Sequence, residues 1–155
     1  MSQATTIFVD ADACPVKAET LKVAERHGLM VTFVANGGLR PSRDPMIKNV
    51  VVSAGFDAAD DWIVEQAEAK DIVITADILL AGRCVEKGCV AIAPNGRLFD
   101  ASSIGMATAA RNLNQYLREA GEIDGRNAPF TQRDRSQFLQ VLDRMARQRT
   151  GADTS

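Results

Sequence analysis

The sequence TIFVDADACPV, residues 6–16, joins a continuous apolar run to two aspartates, Asp10 and Asp12. An apolar run of this kind is typical of a parallel strand that is buried on both faces. Pro15 suits the first turn of a helix, and the helical pattern of residues 16–27 ends at a glycine. The stretch therefore predicts a strand, a turn that carries two carboxylates, and a helix.

The remainder of the chain repeats this alternation of strand and helix, which is typical of a doubly wound α/β protein. The pair Asn-Gly after the fifth strand is a hairpin signal, so a short antiparallel strand is expected at residues 97–99. We predict a three-layer, Rossmann-like sandwich around a mostly parallel five-stranded sheet, with further helices at the C-terminus. The strands are expected at residues 5–10, 29–35, 47–53, 71–77 and 89–93, and the helices at residues 16–27, 56–70, 78–88, 103–120 and 131–148.

The chain has 155 residues, of which 46% are hydrophobic, and this is enough for a single core. Residues 1–150 are expected to form one domain, and residues 151–155 a disordered tail. No stretch approaches the ~20 apolar residues that a membrane span needs, and no signal-peptide pattern is present, so a cytoplasmic protein is expected. A net charge of −2 and a pI near 5.4 argue against a protein that coats nucleic acid, but they leave a nuclease open.

The cysteines Cys14, Cys84 and Cys89 are odd in number and lack the C-x-x-C spacing of a zinc or redox site. We therefore expect reduced thiols. Cys14 precedes a helix start, which could lower its pKa and make it reactive, but no partner base is evident.

Five aspartates are predicted to gather at one edge of the sheet. Asp10 and Asp12 follow the first strand, Asp77 follows the fourth, and Asp60 and Asp61 lie in the first turn of the helix between strands three and four. If strands one and four are neighbours, these side chains meet beyond the carboxyl ends of the strands. Clustered carboxylates repel one another unless a cation is bound, and oxygen-only ligands favour Mg²⁺ or Mn²⁺.

Each of these aspartates also has an ordinary structural explanation. Asp60 complements the dipole of its helix, Asp77 caps the next helix, and Asp10 ends its strand through turn chemistry. The metal site is the preferred interpretation because the topology sends three independent acidic positions to the same edge.

Several stretches together resemble the YaiI/YqxD family of small bacterial proteins: IFVDADACPV, VAN, DAADDWIVEQA, DIVITADILLA, NG and PFTQRDRSQFLQVLD. The similarity extends over nearly the whole chain. One departure is that the family often has a Gly-Pro pair before its Pro-Phe, where this chain reads GRNAPF. The family name implies no reaction.

The order of the acidic motifs also resembles, more distantly, that of PIN-like ribonucleases. Those enzymes have an aspartate at the end of strand one, a later helix reading Asp-x-x-Ile-x-x-x-Ala, and a strand ending Thr-x-Asp. The acidic residue that they tend to carry on a middle helix has no clear equivalent here, and Asp12 is the candidate for that charge. The matching positions are Asp10, then Asp60 with Ile63 and Ala67, then Thr75 with Asp77.

This resemblance implies a metal-dependent nuclease that hydrolyses phosphodiester bonds, with RNA as the expected partner and with one or two Mg²⁺ or Mn²⁺ ions. Thr75, Arg40 and Arg43 are candidate substrate-binding residues, although a strand-end threonine is often structural and the arginines can be solvated loop charges. The implied catalytic residues are Asp10, Asp12, Asp60 and Asp77, and the implied metal ligands are Asp10, Asp60, Asp61 and Asp77.

Two other functions fit part of the pattern. A phosphohydrolase of haloacid dehalogenase type also begins with a strand and Asp-x-Asp, but its terminal acidic pair comes late, whereas Asp60 and Asp61 precede the Thr75 strand. A non-catalytic RNA-binding module of the same fold is favoured by the missing acid on the middle helix. The arginine-rich helix at residues 131–148 would either deliver nucleic acid to the cleft or form a solvated outer face.

Overall fold

The computed structural model describes residues 5–11, 15–35, 43–52, 58–100 and 130–150. The predicted helix at residues 103–120, the linker after it and the tail at residues 151–155 lie outside the described residues. Within them the strands are β1 (Thr6–Asp10), β2 (Met30–Ala35), β3 (Ile47–Val51), β4 (Ile72–Ile74), β5 (Val90–Ile92) and β6 (Leu98–Phe99), and the helices are α1 (Lys17–His27), α2 (Ala58–Gln66), α3 (Ile78–Glu86) and α4 (Gln132–Thr150).

The strands form one sheet in the order β3-β2-β1-β4-β5-β6. Strands β1 to β5 are parallel, and β6 pairs with β5 in the antiparallel direction. The predicted α/β fold with a mostly parallel sheet is thereby confirmed, and so is the adjacency of β1 and β4. The strand order reverses direction between β1 and β4, and doubly wound sheets bind their ligands outside the carboxyl ends of the strands at such a point.

Alternation of side chains along the strands explains why helices cover both faces of the sheet. On β1, Ile7 and Val9 belong to a core with residues of α1 and α4, whereas Phe8 belongs to a core with residues of α2 and α3. Strand β4 follows the same rule, because Ile72 and Ile74 face α1 and α4 while Val73 faces the other side. The residues that follow in each strand, Asp10 and Thr75, are therefore directed to the side of α2 and α3.

Helix α4 crosses the α1 face of the sheet from the carboxyl edge to the amino edge. Near its start, Arg135 Nη1 donates to the carbonyl oxygen of Pro15 at 2.7 Å, just after the turn that follows β1. Near its end, Arg149 Nη1 donates to the carbonyl oxygen of Ala69 at 2.7 Å, shortly before β4 begins. These two arginines bind the helix to the domain. None of the described helices is long and apolar enough to cross a lipid bilayer.

Candidate functional site

The carboxyl ends of β1 and β4 bring Asp10 and Thr75 together. The last paired residues of these strands are Val9 and Ile74, so Asp10 and Thr75 come next in register and share a face of the sheet. Thr75 is 1% exposed, and its Oγ1 donates a hydrogen bond to Asp10 Oδ2 at 3.0 Å. A buried hydroxyl therefore fixes the orientation of the half-buried Asp10 carboxylate.

Asp77 is joined to the same hydrogen-bonded series. Its backbone N–H donates to Thr75 Oγ1 at 3.0 Å, so this hydroxyl accepts from Asp77 while it donates to Asp10. The Asp77 side chain caps α3, because its Oδ1 accepts from the Leu79 N–H at 2.9 Å. The capping role suggested by the sequence is confirmed. The three residues form a continuous Asp10–Thr75–Asp77 series at the point where the strand order reverses.

Asp60 and Asp61 lie in the first turn of α2, as predicted, on the face of the sheet toward which Asp10 points. Asp61 Oδ1 forms an ion pair with Arg83 Nη1 of α3 at 2.9 Å. The two side chains are 60% and 46% exposed, so water screens the pair and its contribution to stability is small. The Asp61 carboxylate is thus directed to a neighbouring helix, and no sequence pattern indicated Arg83 as its partner.

The described residues contain no group of three or more histidine, cysteine, aspartate or glutamate side chains placed to hold a metal ion. Asp10, Asp60 and Asp77 therefore do not form such a group among themselves, since Asp77 is turned to the start of α3 and Asp10 to Thr75. Mg²⁺ commonly keeps several waters and binds through one or two carboxylates. The residues around Asp10 are better suited to an ion held by one or two carboxylates and several waters than to one held by three carboxylates. Metal ligation by these residues stays a prediction.

Of the two arginines predicted to bind phosphate, the structure describes Arg43, which does not lie at this edge. Arg43 is exposed and precedes Asp44, whose Oδ1 accepts from the Met46 N–H at 2.8 Å just before β3 begins. Because β3 is parallel to β1, residues that lead into it lie at the amino edge, opposite Asp10. Arg40 and Asp12 lie outside the described residues.

Sequence reasoning overlooked the buried carboxylate of Asp71. It is 3% exposed, its Oδ1 accepts from the Thr6 N–H at 2.9 Å, and its Oδ2 accepts from the Glu68 N–H at 2.9 Å. The only available signal was an acidic residue immediately before the apolar run of β4. This aspartate joins the amino ends of β1 and β4.

Cys84 and Cys89 are free thiols, which confirms the expectation for these two residues, while Cys14 lies outside the described residues. Both are buried, and Cys89 Sγ donates to the carbonyl oxygen of Glu68 at 3.1 Å. The hydrogen bond with the Cys89 thiol, together with burial, raises the pKa of Cys84 far above its usual value. Cys84 is fully buried and packs in the core between α2, α3 and the sheet.

The fold and this site define an α/β protein with paired polar side chains at the switch point of a doubly wound sheet. Residues 8–148 match the family described as "Uncharacterized BCR, YaiI/YqxD family", and the chain belongs to that family. This is the family that the sequence motifs indicated.

Similar proteins occur in bacteria. UPF0178 protein Atu1478 of Agrobacterium fabrum is 69% identical over 147 residues, which cover 95% of this chain and 96% of the relative. UPF0178 protein R01393 of Rhizobium meliloti is 67% identical over 141 residues, covering 91% of this chain and 97% of the relative. A UPF0178 protein of Rhodopseudomonas palustris is 57% identical over 149 residues, covering 94% of each chain. No solved structure matches the chain.

Proposed function

We propose that the protein is a nuclease that depends on Mg²⁺ or Mn²⁺ and hydrolyses phosphodiester bonds in RNA. The observation that carries this proposal is the Asp10–Thr75–Asp77 series at the carboxyl edge of β1 and β4. A hydroxyl that is 1% exposed is held between a carboxylate and a backbone N–H, at the edge where sheets of this order bind ligands.

Asp10 and Asp77 are the principal ligands of the proposed ion, and water molecules would complete its coordination. When bound there, the ion would supply an activated water and stabilise the charge that develops on the phosphate. Thr75 orients Asp10 by donating its hydroxyl hydrogen, and the Asp77 N–H orients that hydroxyl in turn. Hydrogen-bond partners of metal ligands are commonly worth 10–100-fold in metal affinity or activity, so we assign Thr75 a positioning role.

The decisive experiment follows the cleavage of end-labelled single-stranded RNA by the purified protein in Mn²⁺ and, in parallel, in EDTA. Loss of a residue that hydrogen-bonds to a metal ligand costs up to about 100-fold in activity. Asp10→Asn and Asp77→Asn remove the ligands themselves, so each should lower the Mn²⁺-dependent cleavage rate by more than that. Asp44→Asn is the matched control, since it neutralises one carboxylate at the opposite edge of the sheet, and it should cleave at the rate of the wild type.

Two outcomes would overturn the proposal. If wild type, Asp10→Asn and Asp77→Asn cleave alike, the cleavage comes from a contaminating nuclease. If the wild type binds a broad panel of RNA sequences but cleaves none, the protein is a non-catalytic RNA-binding module of this fold.

A further inference from the structure

A polar pocket of about 310 Å³ lies between the β5–β6 turn and the outer side of α4. The described residues that line it supply one guanidinium, three carboxamides and no carboxylate. This composition suits an anionic ligand that also offers hydroxyl groups. The lining residues are Asn95, Gly96, Arg97, Gln137, Gln140 and Val141.

The turn that forms one wall of the pocket is held firmly. Gly96 has a φ of +89°, and a Cβ placed on it would lie 2.7 Å from the backbone carbonyl carbon of Gln137, so the turn packs directly on the α4 backbone. Asn95 Oδ1 accepts from the Arg97 N–H at 3.0 Å, and the Ala93 N–H donates to the Arg97 carbonyl oxygen at 2.9 Å. The backbone that presents Arg97 is therefore fixed relative to the helix.

The pocket lies at the same edge of the sheet as Asp10. The β5–β6 turn follows the carboxyl end of β5, and β5 is parallel to β4, which is parallel to β1. Neighbouring strands are about 4.8 Å apart, so β5 is roughly 10 Å from β1 across the sheet. Because α4 covers the α1 face of the sheet while Asp10 is directed to the side of α2 and α3, a bound strand of nucleic acid reaches Asp10 by passing over the carboxyl edge of β4 and β5.

The outer side of α4 continues the positive character of the pocket. Positions 133, 137, 140 and 144 lie on one side of the helix because they are spaced by three or four residues. Arg133 and Arg144 are exposed and flank the two glutamines along this side. Together with Arg97, they form a cationic surface that complements a phosphate chain.

We propose that this pocket binds the sugar–phosphate backbone of single-stranded RNA and guides it to the carboxyl edge, an inference that rests on the proposed nuclease function. Arg97 contacts a phosphate group, because a guanidinium presents parallel N–H donors to two phosphate oxygens. The carboxamides of Gln137 and Gln140 contact ribose hydroxyls, because an amide both donates and accepts as a 2′-hydroxyl does. The pocket therefore favours RNA over DNA.

The test measures equilibrium binding in EDTA, so that cleavage plays no part. Fluorescence anisotropy of labelled oligouridylate and of oligothymidylate of the same length is recorded over a series of KCl concentrations. Arg97→Ala should weaken binding of both and reduce the salt slope by about 1. The double variant Gln137→Ala/Gln140→Ala should weaken oligouridylate more than oligothymidylate. Lys48→Ala, which removes one exposed cation from β3 at the far edge of the sheet, should bind as the wild type does.

The proposal is overturned if Arg97→Ala and Lys48→Ala bind RNA equally, or if the wild type binds a polyglutamate peptide as tightly as RNA. Its failure is distinct from failure of the nuclease function. Cleavage that depends on Asp10 but is unchanged in Arg97→Ala would reject the pocket as an RNA-binding site and support the nuclease function. RNA binding that depends on Arg97, without any cleavage by the wild type, would support the pocket as an RNA-binding site and reject the nuclease function.

Discussion

The two ends of the β1–β4 strand pair each carry a carboxylate, and the partners of these carboxylates differ. At the amino end, Asp71 is 3% exposed and accepts two backbone hydrogen bonds, from Thr6 and from Glu68, both at 2.9 Å. At the carboxyl end, Asp10 is half-buried and accepts from the side-chain hydroxyl of Thr75 at 3.0 Å.

This difference separates a structural carboxylate from one that is suited to a ligand. Asp71 satisfies backbone donors that would otherwise be buried without a partner, so it stabilises the pairing of β1 and β4. Asp10 is oriented by the side-chain hydroxyl of Thr75 at the edge where the strand order reverses. Asp71 and Asp10 carry the same carboxylate group, and the hydrogen-bond partners of each carboxylate distinguish the two positions.

The largest effect on folding is expected at the amino end. Asp71→Ala removes a buried acceptor from the N–H groups of Thr6 and Glu68, and each loss of a charged hydrogen-bond partner costs about 1.5–3 kcal/mol. We expect the free energy of unfolding, measured by urea denaturation in EDTA, to fall by about 3 kcal/mol.

Asp10→Asn provides the matched measurement at the carboxyl end. In EDTA it should leave the free energy of unfolding unchanged or raise it, since it removes a charge from an edge that is acidic in sequence. Equal losses of stability in Asp71→Ala and Asp10→Asn would show that both carboxylates are structural and would end the comparison.

Two glycine turns extend the comparison of the edges, because Gly96 lies at the carboxyl edge and Gly28 leads into β2 at the amino edge. Both have positive φ, +89° and +67°, but an added Cβ meets the α4 backbone only at Gly96 and meets nothing within 4 Å at Gly28. Gly28→Ala should cost about 1 kcal/mol for its backbone conformation. Gly96→Ala should cost about 2 kcal/mol or more because the turn must also move away from α4.

Thermal unfolding of the two alanine variants checks this order. A Gly96→Ala variant that is no less stable than Gly28→Ala would mean that the β5–β6 turn is not fixed against α4. The wall of the proposed RNA-binding pocket would then lack the rigidity that we assign to it.

The fold was predictable because its main signal is local. The apolar run that ends at Asp10 and the alternation of strands with helices were sufficient to predict the parallel sheet. The adjacency of β1 and β4 was inferred by analogy with other doubly wound folds, because periodicity alone does not determine the strand order. Several predicted elements were one or more residues too long, whereas α4, expected to end at residue 148, extends to Thr150. The third strand was expected at residues 47–53 but ends at Val51. The prediction extended too far because Val52 continues the apolar pattern. Val52 still donates its N–H to the Ala35 carbonyl oxygen, although it does not belong to the strand.

The sequence predicted the positions of site residues only where they follow directly from the register of parallel strands. Asp10 and Thr75 meet because both follow strand ends at one edge of the sheet. Arg43 precedes β3 at the amino edge, a position that depends on β3 being parallel to β2 and that no local pattern indicates. Its role in phosphate binding stays a prediction. Asp71 was overlooked because its bond to Thr6 joins residues 65 apart in the sequence and leaves no local pattern.

A third carboxylate, Asp143 on α4, sharpens the comparison because its partners are basic side chains rather than backbone groups. Its Oδ1 lies 2.8 Å from His27 Nε2 and 3.0 Å from Arg26 Nη1, and its Oδ2 lies 3.5 Å from Arg147 Nε. The hydrogen bond with His27, reinforced by Arg26, lowers the pKa of Asp143 below its ordinary value of 3.8 against the opposing effect of burial. A carboxyl whose pKa is lowered by folding stabilises the protein above its unfolded pKa and loses that contribution as the pH falls through its folded pKa.

We therefore expect Asp143→Asn to lower the free energy of unfolding by about 1 kcal/mol at pH 5, the upper range for a partly exposed ion pair. The difference from the wild type should shrink as the pH falls below 3.8, and urea denaturation between about pH 5 and pH 2 measures it. His27→Ala removes the largest cause of the pKa shift, so in that background the Asp143→Asn substitution should cost less at pH 5. A stability difference that stays constant down to the lowest pH would mean that the Asp143 carboxylate contributes through packing and not through its charge.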